Sequence, residues 1–118
     1  MQNREFWLLL DRLVAESEVV IDRPKGSRHP RYESFIYPLD YGYLKNTTAM
    51  DGGGIDVWLG SDAAGTVDAV MCIVDILKRD SKIKVLIGCT EEEKALVNRV
   101  HNEADCMKGM LIRRPTDA

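Results

Sequence analysis

The sequence is poor in the features that mark several protein classes. It has three cysteines, Cys72, Cys89 and Cys106. Their number is odd and none stands at CxxC spacing, which argues against a disulfide framework and against a zinc site. No apolar run approaches the roughly 20 residues of a membrane-spanning helix. The longest lies near Ala69–Val74, bounded by Asp68 and Asp75. The stretch Phe6–Leu10 is too short for a secretory signal, and Asp11 and Arg12 follow it directly. An excess of positive charge is missing too. Sixteen Lys and Arg face 19 Asp and Glu, a net charge of −3, which argues against a dedicated nucleic-acid binder. The two histidines, His29 and His101, have no ligand spacing to each other or to a cysteine. No repeat, low-complexity tract or linker interrupts the chain. The expectation is a cytoplasmic protein with reduced thiols and no membrane contact, one domain over residues 1–118. With 45% hydrophobic residues, a chain of this length buries roughly two thirds of its unfolded surface and needs no covalent staple.

Periodicity divides the chain into elements. Residues 3–16 read as an amphipathic helix, with Phe6, Leu9, Leu10, Leu13 and Val14 at helical spacing. Val19–Ile21 is a β-branched run that ends at Pro24. Arg23–Pro30 is a basic, turn-rich loop. Arg31–Tyr37 alternates as a strand, with Arg31, Glu33, Phe35 and Tyr37 on one face. Leu39–Asn46 reads as an aromatic loop and Met50–Gly54 as a tight turn. Ile55–Leu59, Val67–Leu77 and Ile83–Ile87 read as strands, the last two joined by the charged turn Lys78–Lys82. Thr90 and Glu93 form a capping box for a second helix. Its apolar stripe is Leu96, Val97, Val100, Ala104 and Met107, Gly109 ends it, and His101 is expected at its surface. Met110–Ile112 completes the pattern. The expected fold is α+β: a five- or six-stranded, mostly antiparallel sheet or small barrel with a helix at each end.

Three clusters carry chemical potential. Asp51 and Asp56 bracket a glycine turn, where backbone can approach a ligand closely. Two carboxylates converging there suit Mg²⁺, which uses one or two carboxylates, waters and phosphate oxygens. Tyr37, Tyr41 and Tyr43 offer phenol donors to phosphate. The same residues also make an ordinary Asp-Gly turn and core-edge tyrosines. Arg31 and Glu33 form the second cluster, with Lys25, Arg28 and Asp22 upstream; the plain alternative is a solvated basic loop with a weak surface ion pair. Lys82 and Lys84 share a strand face and make a positive patch for phosphate, or simply a charged hairpin.

Taken in order, Val19-Val-Ile-Asp-Arg-Pro24, Arg31-Tyr-Glu33, Tyr37-Pro-Leu-Asp-Tyr-Gly-Tyr43, Asp51-Gly-Gly-Gly-Ile-Asp-Val57 and Ile76-Leu-Lys78 resemble the soluble inorganic pyrophosphatase family. The resemblance implies a small OB-like β-barrel and Mg²⁺-dependent hydrolysis of pyrophosphate, with two or more ions. It implies a small phosphate-containing substrate, a homo-oligomer, and neither nucleic acid nor membrane as partner. Carried over, Asp51, Asp56 and Asp22 are metal ligands. Asp56, Tyr41 and Glu33 take catalytic places; Lys25, Arg31, Tyr37 and Lys84 contact phosphate. The chain also departs from the pattern. Gly53 and Gly54 replace a carboxylate and a proline, and the turn after Leu77 is shortened. Lys82 falls about where a metal-binding aspartate belongs, and Glu103 and Ala104 replace a tyrosine–lysine pair. Three expectations follow: a phosphohydrolase, a phosphate-binding module without turnover, or an assembly protein that uses its N-terminal helix.

Overall fold

Strand residues that alternate between two apolar sets must be covered on both sides, and the architecture shows how. The computed structural model describes residues 3–116. The elements are α1 (Arg4–Ala15), β1 (Val19–Arg23), β2 (Asp40–Leu44), β3 (Ile55–Leu59), β4 (Val67–Asp75), β5 (Asp80–Ile87), α2 (Glu91–Val100) and β6 (Met107–Arg113). The strands form one sheet in the order β1-β2-β3-β5-β4-β6. Every neighbouring pair is antiparallel except β3 and β5, which run parallel. This is the expected small α+β fold with a mostly antiparallel sheet.

Val57, Val70, Val85 and Ile87 project to one face and pack under α1 through Trp7, Leu10, Leu13 and Val14. Trp58, Ala69, Met71, Ile73 and Leu86 project to the other, where Val97 and Val100 of α2 cover part of it. Thr90 Oγ1 accepts from Glu93 N, and the Glu93 carboxylate accepts from Thr90 N and Ser61 N. The capping box is therefore present and also ties α2 to the chain after β3. Arg114 grips Asp11 with two hydrogen bonds of 2.7 Å, fastening α1 beside β4. Gly42 lets β1 cross β2 closely: a Cβ there would lie 1.8 Å from the Val20 carbonyl oxygen.

Four expectations are corrected. Arg31–Tyr37 is not a strand. Pro30 and Pro38 flank it, Phe35 N donates to Tyr32 O, and the ring nitrogen Nδ1 of His29 accepts from the backbone of Arg31 and Tyr32. Only the isolated bridge Arg28–Ile36 remains, so Arg31 and Glu33 share no strand face. Leu39–Asn46 is largely strand β2, paired on both sides; tyrosines at alternate positions are a strand signal. The second helix stops at Val100, and Gly109 sits inside β6 opposite Ile73. A Cβ on Gly109 would lie 2.7 Å from the Met71 sulfur, so the glycine serves packing rather than termination. His101 is buried, 4% exposed. It follows Val97 by four residues, on the inward stripe.

Candidate active site

Charged residues stand out only where they fall in phase with an apolar face. Asp56 shares the phase of Trp58 on β3, and Lys82 and Lys84 share that of Leu86 on β5. Tyr41 pairs with Trp58 and Tyr43 with Asp56 across β2 and β3. These side chains project to the α2 side of the sheet, beyond the part that α2 covers. There they line a cleft of about 610 Å³. Its wall and rim include Asp22, Tyr37, Tyr41, Asp51, Asp56 and Lys84, all singled out from the sequence. Glu33, Lys25 and Arg31 lie outside it. All three are exposed. The Glu33 carbonyl accepts from Arg28, and Lys25 N donates to Asp40.

Asp51 and Asp56 do converge, and what they converge on is Lys82. Its Nζ lies 3.5 Å from Asp51 Oδ2 and 3.3 Å from Asp56 Oδ2. Burial disfavours the Lys82 charge, but Asp56 and then Asp51 outweigh it, and the ammonium titrates above its ordinary range. Asp51 is held below the usual carboxylate range, first by the Gly53 N–H and then by Lys82. Asp22 stands at the rim with Arg23 Nη1 at 3.8 Å. Asp75 is engaged by the backbone N–H groups of Leu77 and Lys78. Among the described residues, no group of three or more His, Cys, Asp or Glu side chains could hold a metal ion.

The floor is drier. Lys84 is 9% exposed, and its Nζ lies 4.6 Å from the Tyr41 ring centroid. Burial pulls its pKa down to about 7, although Asp56 opposes the fall. Tyr37 packs among Phe35, Tyr41 and Trp58 at centroid distances of 5.0, 5.3 and 5.9 Å. Burial raises the pKa of Tyr37 and of Tyr41, and Asp56 raises Tyr41 further. Both phenols therefore stay protonated, with the Tyr41 hydroxyl hydrogen-bonded to Asp56 and that of Tyr37 to Arg23. Trp58 Nε1 donates to His101 Nε2 at 3.1 Å. Burial, then Lys84 and Lys82, lower the His101 pKa to about 3. His101 is thus neutral with its proton on Nδ1, a buried atom without a hydrogen-bond partner among the described residues. Sequence reasoning missed His101, although its place on the Val97 stripe would have found it. It missed Arg23 as well, which nothing in the pattern separates from the other cations of its loop.

No family model matches the chain. A curated inorganic pyrophosphatase from Leifsonia xyli subsp. xyli is 39% identical over a stretch covering 34% of this chain and 34% of that protein. The chain thus matches about a third of the length of this curated relative. An inorganic pyrophosphatase from Neisseria gonorrhoeae superposes with a TM-score of 0.58 at 21% identity, covering 76% of this chain and 77% of that one. The inorganic pyrophosphatase of Helicobacter pylori superposes with a TM-score of 0.59 at 14% identity, covering 89% and 88%. The chain has the fold of these inorganic pyrophosphatases, as the sequence motifs imply.

Proposed function

We propose that the cleft takes inorganic pyrophosphate, or a compound with the same phosphoanhydride group, and hydrolyses it to phosphate. One observation carries this reading: Tyr37, Tyr41, Asp56, Lys82 and Lys84 meet in one cleft, on the fold of inorganic pyrophosphatases. Lys82 and Lys84 supply the cations that a phosphate needs, Tyr37 supplies a neutral donor, and Tyr41 holds Asp56 in place through its hydroxyl. Asp56 is the carboxylate placed to orient a water and take its proton as the water oxygen attacks phosphorus. Lys84, titrating near neutrality, suits return of a proton to the departing phosphate as the bridging P–O bond breaks. Glu33, Lys25 and Arg31 have no part in this arrangement. The proposed setting is the cytoplasm, with a homo-oligomer formed through the exposed Phe6, Leu8 and Leu9 of α1.

The resemblance also implies Mg²⁺. The donor set does not fit it as built. Lys82 already bridges Asp51 and Asp56, and Asp22 is turned to Arg23 at the rim. A divalent ion would have to displace the ammonium and break both ion pairs. These residues suit a monovalent ammonium rather than a cluster of Mg²⁺ ions.

The test is phosphate release from pyrophosphate, polyphosphate and nucleotides by wild type and Asp56→Asn. The reading expects release above a no-protein control, reduced about 10²–10⁴-fold in the variant. Equal release from both would refute it. The Lys82 bridge favours a second reading, phosphate binding without turnover. That reading expects pyrophosphate to raise Tm with no phosphate released.

A further inference from the structure

Lys82 and its two partners come from three places: the glycine turn, the start of β3 and the hairpin end of β5. They meet because β5 runs parallel beside β3. The Lys82 side chain is 17% exposed and that of Asp56 21%, while Asp51 at 39% closes the group on its solvent side. The group is therefore partly withdrawn from solvent, where opposite charges hold each other more tightly than on an open surface. An ammonium has three N–H donors. Two carboxylates engage it, which leaves a donor for a third acceptor. Lys84, Lys78 and Arg23 line the same cleft, set against Asp22, Asp75 and Glu103, so the unused Lys82 N–H, rather than an excess of positive charge, is what the cleft offers an entering anion.

We infer that the Lys82 ammonium is a built-in counter-ion, seated between Asp51 and Asp56 where a divalent ion would otherwise go, so that the cleft binds phosphoanhydride compounds without a metal. This rests on the phosphate-site reading above and deepens it. The cation that bridges carboxylates and phosphate is part of the chain, its position set by β5. Binding then needs no metal loading, and chelators do not oppose it. A single ammonium polarises a phosphate less than two divalent ions do, so turnover in this site is slow.

The probe is methylenediphosphonate, a pyrophosphate analogue that cannot be hydrolysed at its bridge. Calorimetric titration into the wild-type chain is run in EDTA and in Mg²⁺, compared at equal free ligand. Mn²⁺ uptake is followed by electron paramagnetic resonance in wild type, Lys82→Gln and Lys82→Arg, each checked for folding by circular dichroism. The inference expects Kd values in EDTA and Mg²⁺ to agree within about twofold. It expects Lys82→Gln to lose about tenfold in affinity in EDTA and to take up Mn²⁺ about tenfold more tightly than wild type. Lys82→Arg, which keeps the charge, should resemble wild type in both measurements. Should Lys82→Gln fail to fold, the EDTA and Mg²⁺ comparison on wild type decides alone. Binding that requires Mg²⁺, or tight Mn²⁺ uptake by wild type, overturns the inference and leaves the phosphate site standing. No heat in either buffer overturns both.

Discussion

Replacing Lys84 with methionine should stabilise the protein, and by an amount that depends on pH. Burial lowers the Lys84 pKa from its ordinary 10.5 to about 7. The unfolded chain binds this proton below 10.5, whereas the folded chain binds it only below about 7. Between these values the unfolded state carries more protons, so the Lys84 contribution to stability rises with pH. Below pH 7 both states are protonated, and the full cost of a buried charge is present and constant. At about 1.4 kcal/mol per pH unit, that cost is roughly 5 kcal/mol at most. Methionine fills similar volume without a charge. The variant should therefore exceed wild type in stability by up to this amount at pH 6, with the advantage shrinking steadily toward pH 10.5. Urea unfolding of both proteins at pH 6, 8 and 9.5 measures the difference. An advantage that stays constant with pH, or that grows toward high pH, would contradict a depressed Lys84 pKa. The same substitution removes a phosphate contact, so methylenediphosphonate should stabilise the variant less than wild type at pH 6.

Three further outcomes follow from single contacts. His101, with its pKa lowered to about 3, should keep a neutral ring at pH 5; imidazole ¹⁵N shifts report this, and titration near 6.5 would contradict it. Because a neutral buried histidine must charge when the chain unfolds in acid, its contribution to stability should fall as pH drops below 6.5 and level off near 3. Gly42→Ala places a Cβ 1.8 Å from the Val20 carbonyl oxygen and should cost roughly 3 kcal/mol or more in denaturant unfolding; a loss under 1 kcal/mol would show that β1 and β2 can part easily. Thr90→Ala removes half of the capping box and should cost about 1 kcal/mol, read as a lower Tm with an unchanged urea m-value.

Much of the frame could be read from local pattern. Helix α1, the capping box at Thr90 and strands β3 to β5 follow from apolar periodicity and turn residues, because each is decided by neighbours in sequence. Pro38 and the tyrosines make strand β2 look like a loop in sequence, whereas pairing to β1 and β3 decides its state. The expected strand at Arg31–Tyr37 had the right alternation but lacked a partner, and alternation without a partner makes no ladder. The meeting of Asp51 and Asp56 was legible in the glycine turn that joins them. The insertion of Lys82 was not. It depends on β5 lying beside β3 across a long connection, and no local pattern records which strands become neighbours. The resemblance puts Lys82 about where a metal-binding aspartate belongs, but its place between both carboxylates is a tertiary fact.

The most direct test of the phosphate cleft is a map of where a phosphoanhydride lands. Titration of ¹⁵N-labelled protein with methylenediphosphonate in EDTA, followed by amide and lysine Nζ shifts, gives that map. The largest changes should fall at Tyr41, Asp56, Lys82 and Lys84, with Lys84 gaining a proton at pH 8. Shifts confined to the exposed Lys25–Arg31 loop, or to the surface around Asp11 and Arg114, would contradict it.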